Sequence, residues 1–426
     1  MVGEQTQSPI RNNRSGQAQA KKGLKGLVLP GNDSGMKRTI LCSFLLCMHL
    51  MGAQAQSRLT DFIQPGDFQV GYMDTLLFDW PYTYTAYNYT GNKPYVVQVW
   101  FPLTEKIEQP EYLTFKDFFE MPASDTLASI QINLQTHYRD AVIRDCLEEN
   151  LSTGEANTYG DFSYQDILAL IGKIETRSIQ HPAPNAAACP VIVYHHGSQS
   201  FPFENYAMAE YFASRGFIFV AANYHLPYAN TIYGLKPFDQ LQKGEDEQSL
   251  LTIVEYAKTL SSSSAIFFIG HSWGAQMGFR TFAGDTAIKG FISLETTLEF
   301  KTDEEKIKEY WPEVYQKVFT EKAYYPFPIL MCAATGNAEP FLFLSALHAP
   351  YIAFASTDYA FEHNAYVSAF YLRYFLDPSI VQTDSEILHN RLCIYAKHLA
   401  YMNAFIQDIL NHTTKPKQET SIILCE

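Results

Sequence analysis

From Pro190 onward the chain alternates short apolar runs with amphipathic stretches. The runs are Val191 to Tyr194, Phe217 to Ala222, Ala265 to Ile269, Ile288 to Leu294, Phe327 to Cys332 and Pro350 to Ala355. Each is apolar at consecutive positions rather than at every second one, the pattern of a strand covered on both faces, as in a parallel sheet. Between them Leu250, Ile253, Val254 and Ala257 recur at helical spacing, as do Tyr206, Ala209, Glu210 and Phe212 with less purity. Strand and helix signals in alternation predict an α/β architecture, a mostly parallel sheet flanked by helices.

Upstream, Asp67 to Tyr72 and Tyr95 to Phe101 read as strands, rich in β-branched and aromatic residues, with Pro81, Gly91-Asn92 and Pro102 as turn signals. Residues 103–180 are polar, carry helical stretches such as Leu127 to Leu147, and show no recognisable chemistry. They read as an insertion or cap on the main fold, so that residues 56–426 form one domain interrupted at about 103–180.

The N-terminal region changes the picture of where this domain works. Met36-Lys37-Arg38 precedes an apolar run from Ile40 to Met51 and then Ala53-Gln54-Ala55, the order of a secretory signal peptide cut after Ala55. The run is shorter than the roughly 20 residues a membrane span needs. Met48 and His49 after Cys47 are too bulky for a lipid-attachment site. Residues 1–35 are a polar preface that a signal peptide does not normally need, which leaves Met1 and Met36 both open as the start. The expected product, from Gln56, is secreted or periplasmic. It keeps Cys146, Cys189, Cys332, Cys393 and Cys425, an odd set without a C-x-x-C pair, and a disulfide framework is not expected in a core of this size. The net charge is −14, which phosphate backbones would repel, so nucleic acid is not an expected partner.

Chemistry enters at Gly270-His271-Ser272-Trp273-Gly274, which follows the run Ala265 to Ile269 and opens a helical stretch. G-x-S-x-G between strand and helix is a nucleophile elbow, a turn so tight that glycines flank the serine. A serine hydroxyl needs a histidine base oriented by a carboxylate. On the α/β-hydrolase sheet these partners follow in the order Ser, acid, His. His363, after the last apolar run, takes the place of the base; His348 precedes that run, and His389, His398 and His412 lie in a helical C-terminal region. For the oxyanion, Val191 to Ser198 is a strand running into a His-Gly turn, so the backbone N–H of Ser198 and of Trp273 are the expected donors. His196 would brace that turn, and His195 has the weaker claim to a role.

These segments, with Val97 to Pro102 and the stretch Asn205 to Asn223, resemble the platelet-activating-factor acetylhydrolase and dienelactone-hydrolase-like branch of the α/β-hydrolases. The resemblance covers residues 66–102 and roughly 187–375, and implies the α/β-hydrolase fold with an inserted cap-like segment. In the acetylhydrolases the acid follows the strand after the elbow. Here Leu294-Glu295 stands at that step, with glutamate for aspartate. The dienelactone-type position, after the next strand, holds Glu339 beyond an asparagine, and Asp358 is a further candidate. Glu295 is favoured over Glu339.

The expected activity is hydrolysis of carboxylic esters, of short-chain acyl, acetyl or lipid type, through an acyl-enzyme on Ser272. No metal or organic cofactor is called for. The partner would be a small-molecule, lipid or carbohydrate ester. A serine peptidase would use the same triad, and a hydrolase-fold binding protein would use none of it. The 28 Tyr and 30 Phe include candidates for an acyl pocket, although most belong to the core.

Overall fold

The computed structural model describes residues 59–422 apart from 87, 121, 123, 129, 148–157, 160–161, 185–187, 199, 225–244, 299–302, 336–340, 358–360, 362, 376–384 and 414–418. The segment read as a signal peptide lies outside the described residues, as do Glu339 and Asp358.

The described strands are β1 (Gln69–Ala86), β2 (Tyr89–Leu103), β3 (Tyr112–Thr114), β4 (Thr158–Tyr159), β5 (Phe162–Ser163), β6 (Glu175–Gln180), β7 (Val191–His195), β8 (Ile218–Ala222), β9 (Ile266–His271), β10 (Gly290–Leu294), β11 (Ile329–Ala333), β12 (Ile352–Ser356) and β13 (Glu419–Ile422). All but the β4–β5 pair join one sheet in the order β13-β12-β11-β10-β9-β7-β8-β2-β1-β6-β3. From β8 to β13 the neighbours run parallel, and β2 joins β8 antiparallel. Helices α1 (Gln131–Leu147), α2 (Tyr164–Ile171), α3 (Tyr206–Ala213), α4 (Glu245–Thr259), α5 (Trp273–Thr281) and α6 (Ser385–Leu410) flank it.

Alternate residues of the central strands feed two separate cores. Ile192, Tyr194, Phe219, Ile269 and Leu294 belong to one, while Val191, Val193, Val220, Phe268 and Phe291 belong to the other. Both faces are covered, which is why these strands are apolar at consecutive positions. One core packs on α3 and α6, the other on α4 and α5. The six apolar runs of the second half all became strands.

The first half departs from its turn signals. Pro81 lies within β1, at a register irregularity between Asp79 and Thr83. A residue without an N–H is tolerated where the ladder is already interrupted. Gly91 and Asn92 pair with Tyr84 and Thr83, and Pro102 pairs with Val70. The chain instead reverses between Ala86 and Tyr89, where Asn88 has a φ of 64°, a left-handed conformation that asparagine tolerates better than most residues.

The 103–180 segment extends the main sheet as well as covering it. Its β6 pairs parallel with β1 and its β3 antiparallel with β6. Phe115, Phe118, Ile130 and Leu134 are fully buried, so the segment is less polar in function than in composition. β13 had no apolar run to announce it; Glu419-Thr420-Ser421-Ile422 stands at the sheet's edge with β12 as its one neighbour. Cys189 is half-buried with a free thiol, whereas Cys393 is disulfide-bonded. No helix among the described residues is long and apolar enough to cross a membrane.

Trp100 on β2 joins the hairpin, the 103–180 segment and the parallel sheet. Its ring lies 5.2 Å from Tyr72, 5.6 Å from Phe118 and 6.2 Å from Phe219. Trp100→Ala should therefore cost about 3–5 kcal/mol, read as a lower urea midpoint at unchanged slope; a midpoint at the wild-type value would show that this contact is dispensable.

Candidate active site

The candidate site forms at the carboxyl ends of the parallel strands. β9 runs into Ser272, which adopts φ 50°, ψ −114° before α5 begins at Trp273. That region is sparsely populated for a residue with a side chain and costs on the order of 1–3 kcal/mol. The surroundings hold it: the Ser272 N–H donates to the Leu294 carbonyl at 2.9 Å, and the Ser272 carbonyl accepts from Ala275 and Gln276 at 3.1 and 3.2 Å. The flanking glycines answer to space. A Cβ at Gly270 would sit 2.5 Å from the Ala275 nitrogen, and one at Gly274 would sit 2.2 Å from the His195 carbonyl oxygen.

One strand over, a positive φ recurs. Glu295 follows β10 with φ 44°, and its N–H donates to the Cys332 carbonyl at 2.8 Å. Its side chain is buried, with Oε2 accepting the Ala334 N–H at 3.3 Å. His363 opens a 3-10 turn, His363–Tyr366, beyond β12. Its Nδ1 lies 3.7 Å from Glu295 Oε1, with 35 % of the His363 side chain exposed against 3 % for Glu295. The carboxylate thus stands at ion-pair distance, longer than a hydrogen bond. Apo sites commonly show such lengthening. Burial pulls the His363 pKa below its ordinary 6.5; Glu295 opposes this and His271 adds to it. The rival carboxylates Glu339 and Asp358 lie outside the described residues.

The turn after β7 backs onto the elbow. A Cβ on Gly197 would come within 3.6 Å of Ser272 Cβ, so Ser198, exposed and next in the chain, stands beside the Ser272 segment. Trp273 is the first residue of α5, where backbone N–H groups have no partner within the helix. His195 and His196 are both buried. His195 stacks on Tyr224 with ring centres 3.7 Å apart, and its Nδ1 lies 2.8 Å from the His196 carbonyl. His196 Nδ1 lies 2.7 Å from the Gly197 carbonyl, and burial lowers both rings' pKa. These contacts brace the turn. Of the other histidines, His398 is buried between Phe361 and Tyr366, far below its ordinary pKa, at about 3.

Two residues near the site escaped the sequence reading. Glu204 is buried beside the His-Gly turn, and His271 inside the elbow motif faces both Glu204 and His363. A glutamate between Phe203 and Asn205, just before a helix, was the available signal. A cavity of about 310 Å³ runs along α5, walled by Trp273, Met277 and Arg280 on one side and Tyr310, Trp311 and Val314 on the other. Arg280 is already paired with Glu247 at 2.6 Å, so the cavity's main offer is its rings.

No protein-family model and no curated protein matches the sequence. Solved structures do. A ferulic acid esterase from Streptomyces cinnamoneus superposes with a TM-score of 0.51 at 14% identity, over 83% of this chain and 94% of that one. A dienelactone hydrolase from Anabaena variabilis matches with a TM-score of 0.30 at 13% identity, over 43% and 79%. An acylaminoacyl peptidase from Pyrococcus horikoshii matches with a TM-score of 0.29 at 18% identity, over 41% and 33%. The sheet order and the strained elbow agree with the first of these in defining the chain's class: it has the α/β-hydrolase fold. Solved structures it is similar to include hydrolases, among them esterases.

Because the Gly274 clash is with backbone, Gly274→Ala should destabilise the fold by at least the roughly 1–3 kcal/mol of an overpacked site. Thermal unfolding would show it, and an unchanged transition temperature would mean that α5 can retreat from His195 without loss.

Proposed function

We propose that the protein is a secreted serine hydrolase that cleaves carboxylic esters, of short-chain acyl, acetyl or lipid type, through an acyl-enzyme. The observation that carries this reading is Ser272 held at φ 50° between β9 and α5, with the Glu295 carboxylate 3.7 Å from His363 Nδ1 at the same end of the sheet. A strained turn is kept only where its surroundings enforce it, and such turns cluster at active sites.

In the proposed reaction His363 takes the Ser272 proton as the hydroxyl attacks the ester carbonyl. The negative oxygen that forms is met by the N–H groups of Ser198 and Trp273. His363 then gives the proton to the departing alcohol, and water repeats the sequence to release the acid. Glu295 orients the imidazole and offsets its transient charge. The ring-walled cavity at Trp273 offers room for the apolar part of an ester. Export is supported by the segment Met36 to Ala55 and by the bonded Cys393, since disulfides persist in oxidising compartments.

A fluorophosphonate probe should label the wild-type protein, and Ser272→Ala should abolish the labelling. Ser272→Ala and His363→Ala should each remove several orders of magnitude of turnover on p-nitrophenyl esters, and the double variant should be no slower than either, because the members act as a unit. Labelling that survived Ser272→Ala would sink the proposal, and faster turnover of peptide anilides than of esters would redirect it to amide bonds.

Only neutral imidazole can accept the serine proton, so kcat/KM should rise with pH. Its midpoint should lie below the ordinary histidine value of 6.5, because His363 is depressed. Glu295→Gln should lower that midpoint further, by removing a charge that favours imidazolium, and cut turnover by about 100-fold or more, while Glu339→Gln does much less. A stronger effect at Glu339 would transfer the acid's role to that loop.

A further inference from the structure

Three chain segments must keep register for the proposed chemistry: the turn after β7, the elbow after β9 and the loop carrying His363. One buried glutamate reaches all three, two through its carboxylate and the third through its backbone carbonyl and His271. Glu204 Oε1 accepts the Gly197 N–H at 3.1 Å, accepts the Tyr194 hydroxyl, and lies 3.6 Å from His271 Nδ1. At the other end of that ring, His271 Nε2 lies 3.3 Å from the backbone carbonyl oxygen of His363. The Glu204 backbone carbonyl also accepts the Ala369 N–H at 2.8 Å and the Ser368 hydroxyl at 3.0 Å, both a few residues beyond His363. Glu204 and His271 are 2 % and 4 % exposed.

A buried carboxylate is expensive unless its oxygens are satisfied, and here the satisfying groups come from the segments that need to be joined. Burial alone would raise the Glu204 pKa, but His271, with His196 and Ser200, holds it down to about 2. His271 faces an oxygen acceptor at each ring nitrogen, so it acts as a strut between the turn after β7 and the His363 backbone. The next residue reinforces the join. Asn205 Nδ2 donates to the Tyr366 carbonyl at 3.1 Å, and Asn205 Oδ1 accepts the Ser368 N–H at 2.9 Å and the Tyr395 hydroxyl at 2.9 Å.

We propose that Glu204, acting through His271, is a positioning residue: it locks the turn carrying Gly197 and Ser198 to the loop carrying His363, across the elbow. The inference rests on the ester-hydrolase reading above. Neither side chain is assigned a proton transfer. Their effect is on the placement of His363 and of the oxyanion donors, so they act on kcat rather than on substrate affinity.

The test measures kcat and KM on p-nitrophenyl acetate, with thermal unfolding as a check on folding, for Glu204→Gln, His271→Ala, His271→Gln and the Glu204→Gln/His271→Ala double variant. Wild type and Ser272→Ala run alongside: if they turn over alike, the ester-hydrolase reading fails, whatever the other variants do. Given a Ser272-dependent wild type, His271→Ala should lose on the order of 100-fold in kcat, the scale of a small misplacement of reacting groups, with KM changed by about twofold at most. His271→Gln, which can still donate to the His363 carbonyl, should recover part of that loss. The double variant should be no slower than His271→Ala, because both changes cut one strut. A folded His271→Ala with wild-type kcat, or losses that multiply in the double variant, would overturn the proposal. So would a loss expressed in KM alone. If His271→Ala does not fold, Glu204→Gln decides, since it keeps volume and the Gly197 contact while removing the charge that faces His271: reduced kcat at unchanged KM supports the strut, and undiminished kcat overturns it.

Discussion

The backbone hydrogen bond from Ser272 to Leu294 extends the β9–β10 ladder one residue past the end of β9, and the bond from Glu295 to Cys332 does the same for β10 and β11. Both residues leave their strands with a positive φ, 50° and 44°. The coincidence has a physical source. A parallel ladder fixes where each strand stops, and a sharp turn there exposes one side chain at the sheet's end instead of sending it into a covering helix. The strain is affordable because each bend is tied to the next strand, so neither residue can relax without breaking a ladder bond. Position along the sheet is thereby converted into position in the site, with Ser272 and Glu295 offset by one strand.

Charge is arranged around this frame at high cost in desolvation. Glu204 and Glu295 are both buried, yet each finds a backbone N–H, from Gly197 and from Ala334. For Glu204 the outcome is a folded-state pKa of about 2, below its ordinary 4.5. Its contribution to stability is therefore present above the unfolded value and lost as pH falls from about 4.5 towards 2. His363 is treated differently. It keeps a third of its side chain in contact with solvent, as the proposed base role requires, and its depressed pKa keeps it neutral over a wider range of pH than a free histidine.

What could be read from the chain follows from which interactions are local. The six apolar runs from Val191 to Ala355 were legible because burial on both faces writes itself into consecutive positions, and Ser272 because a backbone clash at Gly270 and Gly274 forces a spaced motif. Glu295 and His363 were legible by order along the chain. The structure brings these two to the same end of the sheet, whereas the rival acids Glu339 and Asp358 fall outside the described residues. Glu204 was invisible because its partners are Tyr194, Gly197 and His271, ten residues back, seven back and on another strand; a glutamate before a helix looks like an ordinary first-turn charge. The turn signals of the first half misled for a related reason. Proline and glycine punctuate a chain only where the ladder does not absorb them, and the long β1–β2 hairpin absorbs Pro81, Gly91 and Pro102.

The 103–180 segment shows why composition undersells a region whose apolar residues are few but gathered. Phe115, Phe118 and Phe119 meet Phe203 at ring distances of 5.6, 6.0 and 5.5 Å, and Phe203 immediately precedes Glu204. Tyr138 of α1 reaches the same ring at 6.2 Å. The segment thus presses on the residue next to Glu204, which reaches all three site segments. A packed interior transmits strain instead of absorbing it, so the aromatic cluster helps to fix where the Glu204 backbone lies. The segment's own chemistry is bland, and it bears on the site through packing at Phe203 and through the Arg177 N–H and Ser178 hydroxyl, which donate to buried Glu210 of α3.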